Sequence, residues 1–533
     1  MGFFLNGTSC LENFLKITRE TYFVDKSQLV AELFSSINID NRFICVTRPR
    51  RFGKSVAANM IASFFGNNNS DSIFDKLIVS KNPAYKEHLN QHNVIFIDFS
   101  QNTEKSYADF ISKIQNTLFD DLENEFRLSP KENENVLSYI SRIHYELGEK
   151  FIFVFDEWDA PFRFKFMSEA DKQSYIDFLH ILLKGQPYVE LAYMTGILPI
   201  KKYSSSSDLN MFLDYSLATQ ERYSAYFGFT EKEVDELYEK YQKNHSVAFT
   251  RDELRYWYDG YTTNEGNHIY NPRSVVLALS NEKLANYWTS SGPADEIFDL
   301  LKINIDDTQK SVARMIAGET IECLIDEDSI NSEDITSKEE IFSAMVVYGL
   351  LTTDGTNRIK IPNYEILQKF DGVLRKKKEL GYIARLAQIS SEVLEATLNL
   401  EGDTVAELLE SVHDSETPLF SYNRENELTA VVNLVYLAAR DYYFVTREDK
   451  AGKGFTDFIF TPKNPGDDCI ILELKVDSTT EEALNQILAK NYPARFLPPV
   501  GEKTYYKGRI LLVAISYSKK EKKHYCKIEE FKK

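Results

Sequence analysis

Three consecutive residues near the amino terminus have the types and order that bind a phosphate group. Gly53, Lys54 and Ser55 follow an apolar segment and begin a segment with helical spacing. In such a loop, backbone N–H groups at a helix N-terminus surround a phosphate, the lysine contacts its oxygens, and the hydroxyl ligates Mg²⁺. The usual pattern has a glycine five positions before Gly53, where this chain has Arg48. The segment is therefore either a nucleotide site with an unusual loop or a basic surface turn.

The residues between Arg48 and Gly53 favour the nucleotide site. Arg48 costs the backbone the freedom that glycine would give, but Pro49 restricts the turn in compensation. Arg50 and Arg51 add positive charge where phosphates would lie. We therefore predict a nucleotide-binding set made of Arg48, Arg50, Arg51, Gly53, Lys54 and Ser55.

A second apolar run, "FIFVFDEWD" (151–159), ends in two acidic residues. At such a strand end, Asp156 could orient Mg²⁺ through water, and Glu157 could polarise the attacking water. The alternative is a strand followed by an acidic turn. A further apolar run ends at Thr195, whose hydroxyl could sense the γ-phosphate or could cap a helix or turn.

A separate set of charged residues lies near the carboxy terminus. Asp457 is followed by Glu473 and Lys475, which alternation places on one face of a strand whose other face is apolar. An inward-facing glutamate and lysine are costly unless something compensates them. Asp457, Glu473 and the Leu474 carbonyl could hold Mg²⁺, while Lys475 orients or deprotonates a water. The alternative is a solvated strand face with a Glu/Lys pair.

Flanking residues add to this second site. The preceding helix offers Glu425, or alternatively Glu427, as a further acid, and the following helix offers Gln486. From Arg495 onward there are eleven Lys and Arg residues against four Asp and Glu. A basic flank beside a Mg²⁺ site suits a phosphodiester substrate, although a solvated tail accounts for the same charges.

The elements that must position the first site form an α/β pattern. Apolar runs that alternate with amphipathic segments predict parallel strands covered on both faces, at 42–47, 93–100, 151–159 and 190–198. The distance between the glycine-lysine-serine loop and the acidic strand end favours a P-loop NTPase sheet of the additional-strand type.

After about residue 230 the pattern changes twice. It becomes mostly helical, with a helix–strand–turn–strand–helix order at 337–370 that suits a winged-helix-like unit. Beyond about 400, a long apolar helix over 426–443 begins an α-β-β-α-β-β order, a small separate α/β domain. We therefore predict domains at 1–230, 231–400 and 401–533.

Composition excludes several classes of protein. The chain has 533 residues, 43% hydrophobic and 27% charged, with a net charge of −19. This balance argues against coating DNA by bulk charge, but it allows a local basic groove. The five cysteines form no C-x-x-C pair, which favours reduced thiols in the cytoplasm. We find neither a signal peptide nor an apolar stretch long enough to span a membrane, so we expect no membrane association.

Eight short segments together resemble one protein family. In order they are "FVDKSQLVAELF", "TRPRRFGKS", "VFDEWDAPF", "TGILPI", "YDGY", "YNPRSV", "YWTSSG" and "IPNYE". They are similar to the AAA-ATPase-like proteins of bacteria, over roughly residues 12 to 370. That family carries a loop of the R-P-R-R-F-G-K-S type, so the missing first glycine matches the family. The resemblance implies ATP and Mg²⁺ as ligands.

The segment 420–530 resembles the PD-(D/E)XK nuclease-like domain that commonly follows this ATPase type. The resemblance implies that Asp457, Glu473 and Lys475 form an active site. Gln486 and Tyr492 match the Q-x-x-x-x-x-Y pattern of the following helix, and Glu425 matches the helix acid. Thr456 stands where the named motif has proline, a departure from the pattern.

These observations lead to one prediction and two rivals. We predict an ATPase coupled to a Mg²⁺-dependent nuclease-like domain that acts on nucleic acid, DNA in preference to RNA, in defence or mobile-element handling. Ser55, Asp156, Asp457 and Glu473 would be the metal ligands; a homo-oligomer is left open. The first rival is an ATP-driven signalling switch or scaffold whose nuclease-like domain only binds. The second is a nucleotide-binding protein with negligible turnover.

Overall fold

In the computed structural model, the chain forms two compact units. The first contains residues 1–297 and 322–366, and the second contains 298–321 and 367–533. The structure describes residues 2–68, 70–200, 209–216, 222–245, 247–263, 266–288, 301, 308–316, 318–326, 337–376, 381–416, 425–451, 454–464, 466–496 and 507–532. The three-part division at 230 and 400 stays a prediction.

The first unit contains the predicted parallel sheet, which has five strands. Its strands are β1 (Phe43–Thr47), β2 (Asn93–Asp98), β3 (Phe151–Asp156), β4 (Val189–Gly196) and β5 (Leu213–Tyr215). Their order is β2-β3-β4-β1-β5. β4 therefore lies between the strand before the glycine-lysine-serine loop and the strand that ends in Asp156, which is the additional-strand arrangement. The sequence prediction missed β5, because three residues are too few to show a hydrophobic period.

Helices cover both faces of this sheet, because its strands carry apolar side chains on both faces. Successive residues of β3 alternate between two apolar clusters, with Phe153 in one and Val154 in the other, and every residue of β3 is buried. A strand that is buried on both faces must be apolar throughout, which accounts for the continuous runs. The helices are α1 (Thr8–Thr18), α2 (Gln28–Phe34), α3 (Lys54–Phe65), α4 (Asp71–Phe74), α5 (Tyr85–His88), α6 (Tyr107–Phe126), α7 (Val136–Leu147) and α8 (Glu169–Leu183).

A mostly helical segment follows, with short strands between its helices. A capping box between Thr230 and Glu233 begins α9. The predicted helix–strand–strand–helix order at 337–370 is also present, as α13, β10, β11 and α14. The elements are β6 (Phe229–Thr230), α9 (Glu231–Asn244), α10 (Arg251–Tyr258), β7 (Tyr261–Thr262), β8 (His268–Tyr270), α11 (Pro272–Ser280), α12 (Thr308–Ile316), β9 (Ile321–Glu322), α13 (Lys338–Val347), β10 (Thr352–Thr353), β11 (Arg358–Lys360) and α14 (Tyr364–Lys376).

The second unit is built around a mixed five-stranded sheet. Its strands lie in sequence order, β12-β13-β14-β15-β16, with β14 and β15 parallel and the other neighbours antiparallel. Apolar residues of α18 pack against β14 and β15 in one cluster. The elements are α15 (Gly381–Leu398), α16 (Gly402–Glu416), α17 (Glu425–Val435), β12 (Tyr443–Ala451), β13 (Gly454–Pro462), β14 (Cys469–Val476), α18 (Thr480–Ala489), β15 (Ile510–Ser518) and β16 (Lys523–Glu530).

The predicted long helix over 426–443 is wrong in its second half. The helix ends at Val435, a 3-10 turn follows, and Tyr443 begins strand β12. The segment from Tyr442 onward is rich in aromatic and β-branched residues, which fit a strand. Pairing with β13 from Tyr443 to Ala451 supplies backbone partners that a local pattern does not reveal. In the described part of the chain, no helix combines the length and apolarity needed to cross a membrane.

Candidate active sites

The glycine-lysine-serine loop joins β1 to α3, in the strand–loop–helix context that the sequence predicts. Gly53 is the N-cap of α3 and has φ of 90°, a left-handed conformation that favours glycine. Arg51 also has a positive φ, 70°. Lys54 is only 6% exposed, and its Nζ donates to the carbonyl oxygens of Arg48 (2.9 Å) and Pro49 (3.0 Å). The ammonium is therefore held inside the loop by neutral acceptors, which a phosphate oxygen could replace with a charged one.

Three predicted residues from distant segments meet at the end of β3. Asp156 is 2% exposed and accepts a hydrogen bond from the Thr195 hydroxyl at 2.5 Å. The Ser55 hydroxyl hydrogen-bonds the same carboxylate, and burial raises the pKa of Asp156. Because Thr195 on β4 pairs with Val46 on β1, the inserted strand brings it beside the loop. Thr195 therefore contacts Asp156, and its role as a γ-phosphate sensor stays a prediction.

Glu157 lies directly after this cluster in a left-handed conformation, with φ of 47°. Strained backbone of this kind is commonly found at functional sites. Its Oε2 accepts from Arg163 Nη2 at 3.1 Å, while Arg163 Nη1 donates to Asp159 Oδ2 at 2.8 Å. Burial raises the pKa of Glu157, and the Arg163 charge opposes that shift. The carboxylate is thus partly desolvated and oriented by an arginine, which suits a group that accepts a proton from water.

Asp159 fixes this arginine and the end of β4 together. It is fully buried, and its Oδ2 also accepts from the backbone N–H groups of Ile197 (3.3 Å) and Leu198 (3.2 Å). The sequence analysis missed both Asp159 and Arg163. Their spacing of four residues and the last acid of "DEWD" were the available signals, but only the fold shows that Arg163 reaches Glu157.

The three loop arginines form hydrogen bonds with other parts of the protein, two through their guanidinium groups and one through its backbone carbonyl. The buried Arg48 guanidinium donates to the Thr47 and Tyr215 carbonyls, both at 2.7 Å, and so ties the loop to β5. Arg51 Nη1 donates to the Tyr287 carbonyl. The Arg50 carbonyl accepts from Asn271 Nδ2 at 3.5 Å. A direct role for these side chains in nucleotide binding stays a prediction.

The second site brings four predicted residues together on β13, β14 and α18. Glu473 is 2% exposed, and its Oε1 accepts from Lys475 Nζ at 3.3 Å and from Gln486 Nε2. Asp457 Oδ2 accepts from the Leu474 backbone N–H at 2.7 Å, which places it beside Glu473. Glu473 is therefore buried while its three partners are partly exposed, and the alternative of a freely solvated Glu/Lys pair does not describe Glu473.

The remaining predicted residues differ in how they are placed. Tyr492 is buried and hydrogen-bonds Gln486, so the two residues of the helix pattern support each other and Glu473. Glu425 begins α17, and its side chain, like that of Glu427, lies outside the described residues. Their role as the helix acid stays a prediction.

The donor set of the second site fits a hard divalent cation. Glu473 Oε2 is buried without a hydrogen-bond partner. Burial and the nearby negative charge of Asp457 raise the pKa of Glu473 to about 7. A buried carboxylate whose pKa is raised by a neighbouring carboxylate gains from a bound cation, and oxygen ligands suit Mg²⁺. Within the described ranges no three His, Cys, Asp or Glu residues cluster to hold a metal.

Comparison with known proteins assigns both ends of the chain. Residues 9–205 match a family model described as "Predicted AAA-ATPase", and residues 424–523 match one described as "PD-(D/E)XK nuclease superfamily". The chain combines an AAA-ATPase-like domain with a PD-(D/E)XK nuclease superfamily domain. A curated relative, an uncharacterized protein in the vnfD 5′ region of Azotobacter chroococcum mcd 1, is 27% identical over 300 residues. The match covers 55% of each chain, so it spans about half the length of that relative.

The similarity to the following solved structures is distant. The Walker-type ATPase PABY2304 of Pyrococcus abyssi is 12% identical with a TM-score of 0.38, covering 64% of this chain and 93% of its own. Cdc6p from Pyrobaculum aerophilum is 12% identical with a TM-score of 0.28, covering 67% and 93%. The ORC2 protein of Aeropyrum pernix is 10% identical with a TM-score of 0.33, covering 66% and 92%.

The AAA-ATPase-like domain should bind nucleotide with a characteristic pH dependence. Burial lowers the pKa of Lys54 to about 8. Bound phosphates would favour the charged ammonium and raise that pKa, so binding above pH 8 must take up a proton. We therefore expect ATP affinity to fall as pH rises through 8, by up to about tenfold per pH unit.

Titration calorimetry at pH 7 and pH 9, in two buffers of different ionisation enthalpy, measures this proton uptake. The phosphates of the nucleotide are already ionised in this range. Lys54→Arg, which stays charged, should bind without proton uptake at pH 9. Equal affinity of the wild type at both pH values would contradict the prediction.

Proposed function

We propose that the protein binds and hydrolyses ATP in its AAA-ATPase-like domain and cleaves phosphodiesters of nucleic acid in its nuclease-like domain. The observation that carries the proposal is the charged set around the buried Glu473 in the second unit. Asp457, Glu473 and Lys475 lie together, with one Glu473 oxygen buried and unpartnered. A domain that only binds would gain nothing from such a costly arrangement.

In the proposed ATP hydrolysis, each predicted residue at the end of the parallel sheet has one role. The α3 N-terminus and the Lys54 ammonium would bind the phosphates. Glu157, oriented by Arg163, would accept the proton of the attacking water. Ser55 and Asp156, already hydrogen-bonded to each other, would hold Mg²⁺, which supplies charge neutralisation on the phosphates when bound.

The nuclease chemistry follows from the second set. Asp457 and Glu473 would hold Mg²⁺, which polarises a phosphodiester oxygen when bound. Lys475, 3.3 Å from Glu473, would orient the attacking water and offset charge on the phosphate. Gln486 donates to Glu473 Oε1 and so directs the unpartnered Oε2 away from itself. We favour DNA over RNA as the substrate.

Cleavage of end-labelled single- and double-stranded DNA and RNA tests this function, with Mg²⁺ or Mn²⁺ and with or without ATP. Glu473→Ala should abolish metal-dependent cleavage. Glu529→Ala is the matched control, because Glu529 is an exposed acid on β16 of the same sheet. An effect of ATP on the wild type would show that the two activities are coupled. Failure to cut any substrate, in protein that still hydrolyses ATP, would overturn the nuclease assignment.

The acidic net charge of −19 favours a second candidate function. In it the protein is an ATP-driven signalling switch or scaffold whose nuclease-like domain binds without cutting. The same assay separates the two, since binding without metal-dependent cleavage supports the switch. Under either function we place the protein in the cytoplasm, where its five free cysteines stay reduced, and we leave open a homo-oligomer. A role in defence or mobile-element handling would follow from cleavage of foreign DNA.

A further inference from the structure

A buried glutamate that neither proposed reaction uses organises the middle of the first unit. Glu365, in the first turn of α14, is 1% exposed. Its Oε1 accepts from the backbone N–H groups of Tyr287 (2.6 Å) and Trp288 (2.8 Å), and both carboxylate oxygens accept from the Ser274 hydroxyl. Asn286 Nδ2 donates to the Glu365 backbone carbonyl at 2.7 Å. One side chain therefore fixes the 286–288 segment against α11 and α14.

The segment held by Glu365 reaches the phosphate loop. The Tyr287 carbonyl accepts a hydrogen bond from Arg51 Nη1. Arg51 has φ of 70° and lies two residues before Gly53, so the arginine is anchored at the point where the loop backbone is left-handed. Burial lowers the pKa of Arg51, and the negative charge of Glu365 opposes that shift. Glu365, the Tyr287–Trp288 backbone and Arg51 thus form a continuous chain of contacts.

Other loop residues contact the same part of the unit independently. Phe52 packs edge-on against Tyr261 with ring centroids 5.0 Å apart, and the two lie in one buried cluster. The Tyr261 hydroxyl donates to the Gly349 carbonyl at 2.8 Å. A Cβ on Gly349 would lie 2.7 Å from Pro49 Cβ, so only glycine allows this approach. The loop from Pro49 to Phe52 is therefore shaped by residues that follow it by more than 200 positions.

These contacts involve four of the short family-like sequence segments, none of which has a role in either proposed reaction. Tyr261 belongs to "YDGY", Asn271 to "YNPRSV", Tyr287 to "YWTSSG" and Glu365 to "IPNYE". Their side chains or backbones either touch the phosphate loop or hold a group that does. A shared target for four separated segments indicates that they act together on the loop.

We propose that Glu365 is a positioning residue for nucleotide binding, which acts through the Tyr287–Trp288 backbone and Arg51 to hold the phosphate loop ready for ATP. The inference rests on the proposed ATP binding. A loop held in its left-handed shape does not pay an ordering cost when phosphate arrives. Release of the anchor lets the loop adopt other conformations, so affinity falls although no residue that touches the nucleotide has changed.

A double-mutant cycle on nucleotide affinity tests the proposal. We expect Glu365→Ala and Arg51→Met each to weaken binding of a fluorescent ATP analogue by about tenfold. Because both substitutions remove the same anchor, the double variant should bind the analogue no more weakly than the single variant of lower affinity. Glu365→Gln keeps an acceptor oxygen for both amides and should bind within about threefold of the wild type. Multiplied effects in the double variant, about 100-fold in total, would overturn the proposal.

Two further variants keep the test decisive. Glu339→Ala, an exposed acid on α13, should leave affinity unchanged. If circular dichroism shows that Glu365→Ala does not fold, Ser274→Ala replaces it. Ser274→Ala should weaken nucleotide binding when it is the only substitution. It should cause no further weakening in protein that already carries Arg51→Met. If the wild type and Lys54→Ala both fail to bind the analogue, the proposed function fails. If only Lys54→Ala fails and the Glu365 and Ser274 variants bind like the wild type, this inference alone fails.

Discussion

Glu157→Gln is expected to lower ATP turnover by about 10²- to 10⁴-fold while leaving ATP affinity nearly unchanged. Glutamine keeps the size of the side chain but cannot accept a proton from water. The residue is well suited to that role, because burial raises its pKa and Arg163 orients its Oε2. Steady-state phosphate release and equilibrium binding of the analogue, measured on the same preparation, separate turnover from affinity.

The matched control is Glu169→Gln, an exposed glutamate in the first turn of α8 that pairs with Lys172. It should hydrolyse ATP like the wild type. Unchanged turnover in Glu157→Gln would show that another group activates the water. Loss of binding in the same variant would show that Glu157 is needed for the loop and not for the chemical step.

Lys475→Met is expected to reduce phosphodiester cleavage by at least about 100-fold, since it removes the group proposed to orient the water. The metal ligands Asp457 and Glu473 remain, so Mn²⁺ binding should persist. Removal of the ammonium also removes a charge that lowers the pKa of Glu473, which should weaken metal binding modestly at neutral pH. Single-turnover cleavage of the substrate identified for the wild type, together with Mn²⁺ titration, measures both effects.

Lys490→Met is the control for this variant, because Lys490 is an exposed lysine directly after α18. It should cleave at the wild-type rate. Cleavage by Lys475→Met at the wild-type rate would show that the lysine is only an ion-pair partner of Glu473 and takes no part in the reaction. Loss of both cleavage and Mn²⁺ binding would mean that the lysine holds the carboxylates in place and does not act on the water.

Local sequence was sufficient for the parts of each site that lie within one strand–loop–helix segment. Gly53, Lys54 and Ser55 lie together because the loop ends where α3 begins, so spacing alone locates them. Alternation along β14 likewise places Glu473 and Lys475 on the same face, where they lie 3.3 Å apart. Such relations depend on the geometry of a few neighbouring residues, which the chain carries in its order.

Only the tertiary structure decided how distant groups meet. Thr195 reaches Asp156 because β4 is inserted between β1 and β3, and Arg48 turns to Tyr215 because the short strand β5 lies beside β1. The link from Glu365 to Arg51 spans more than 300 residues and runs through a backbone carbonyl. No period or spacing encodes such contacts, because hydrogen bonds to the backbone depend on where strands and helices pack and not on the identity of the accepting residue.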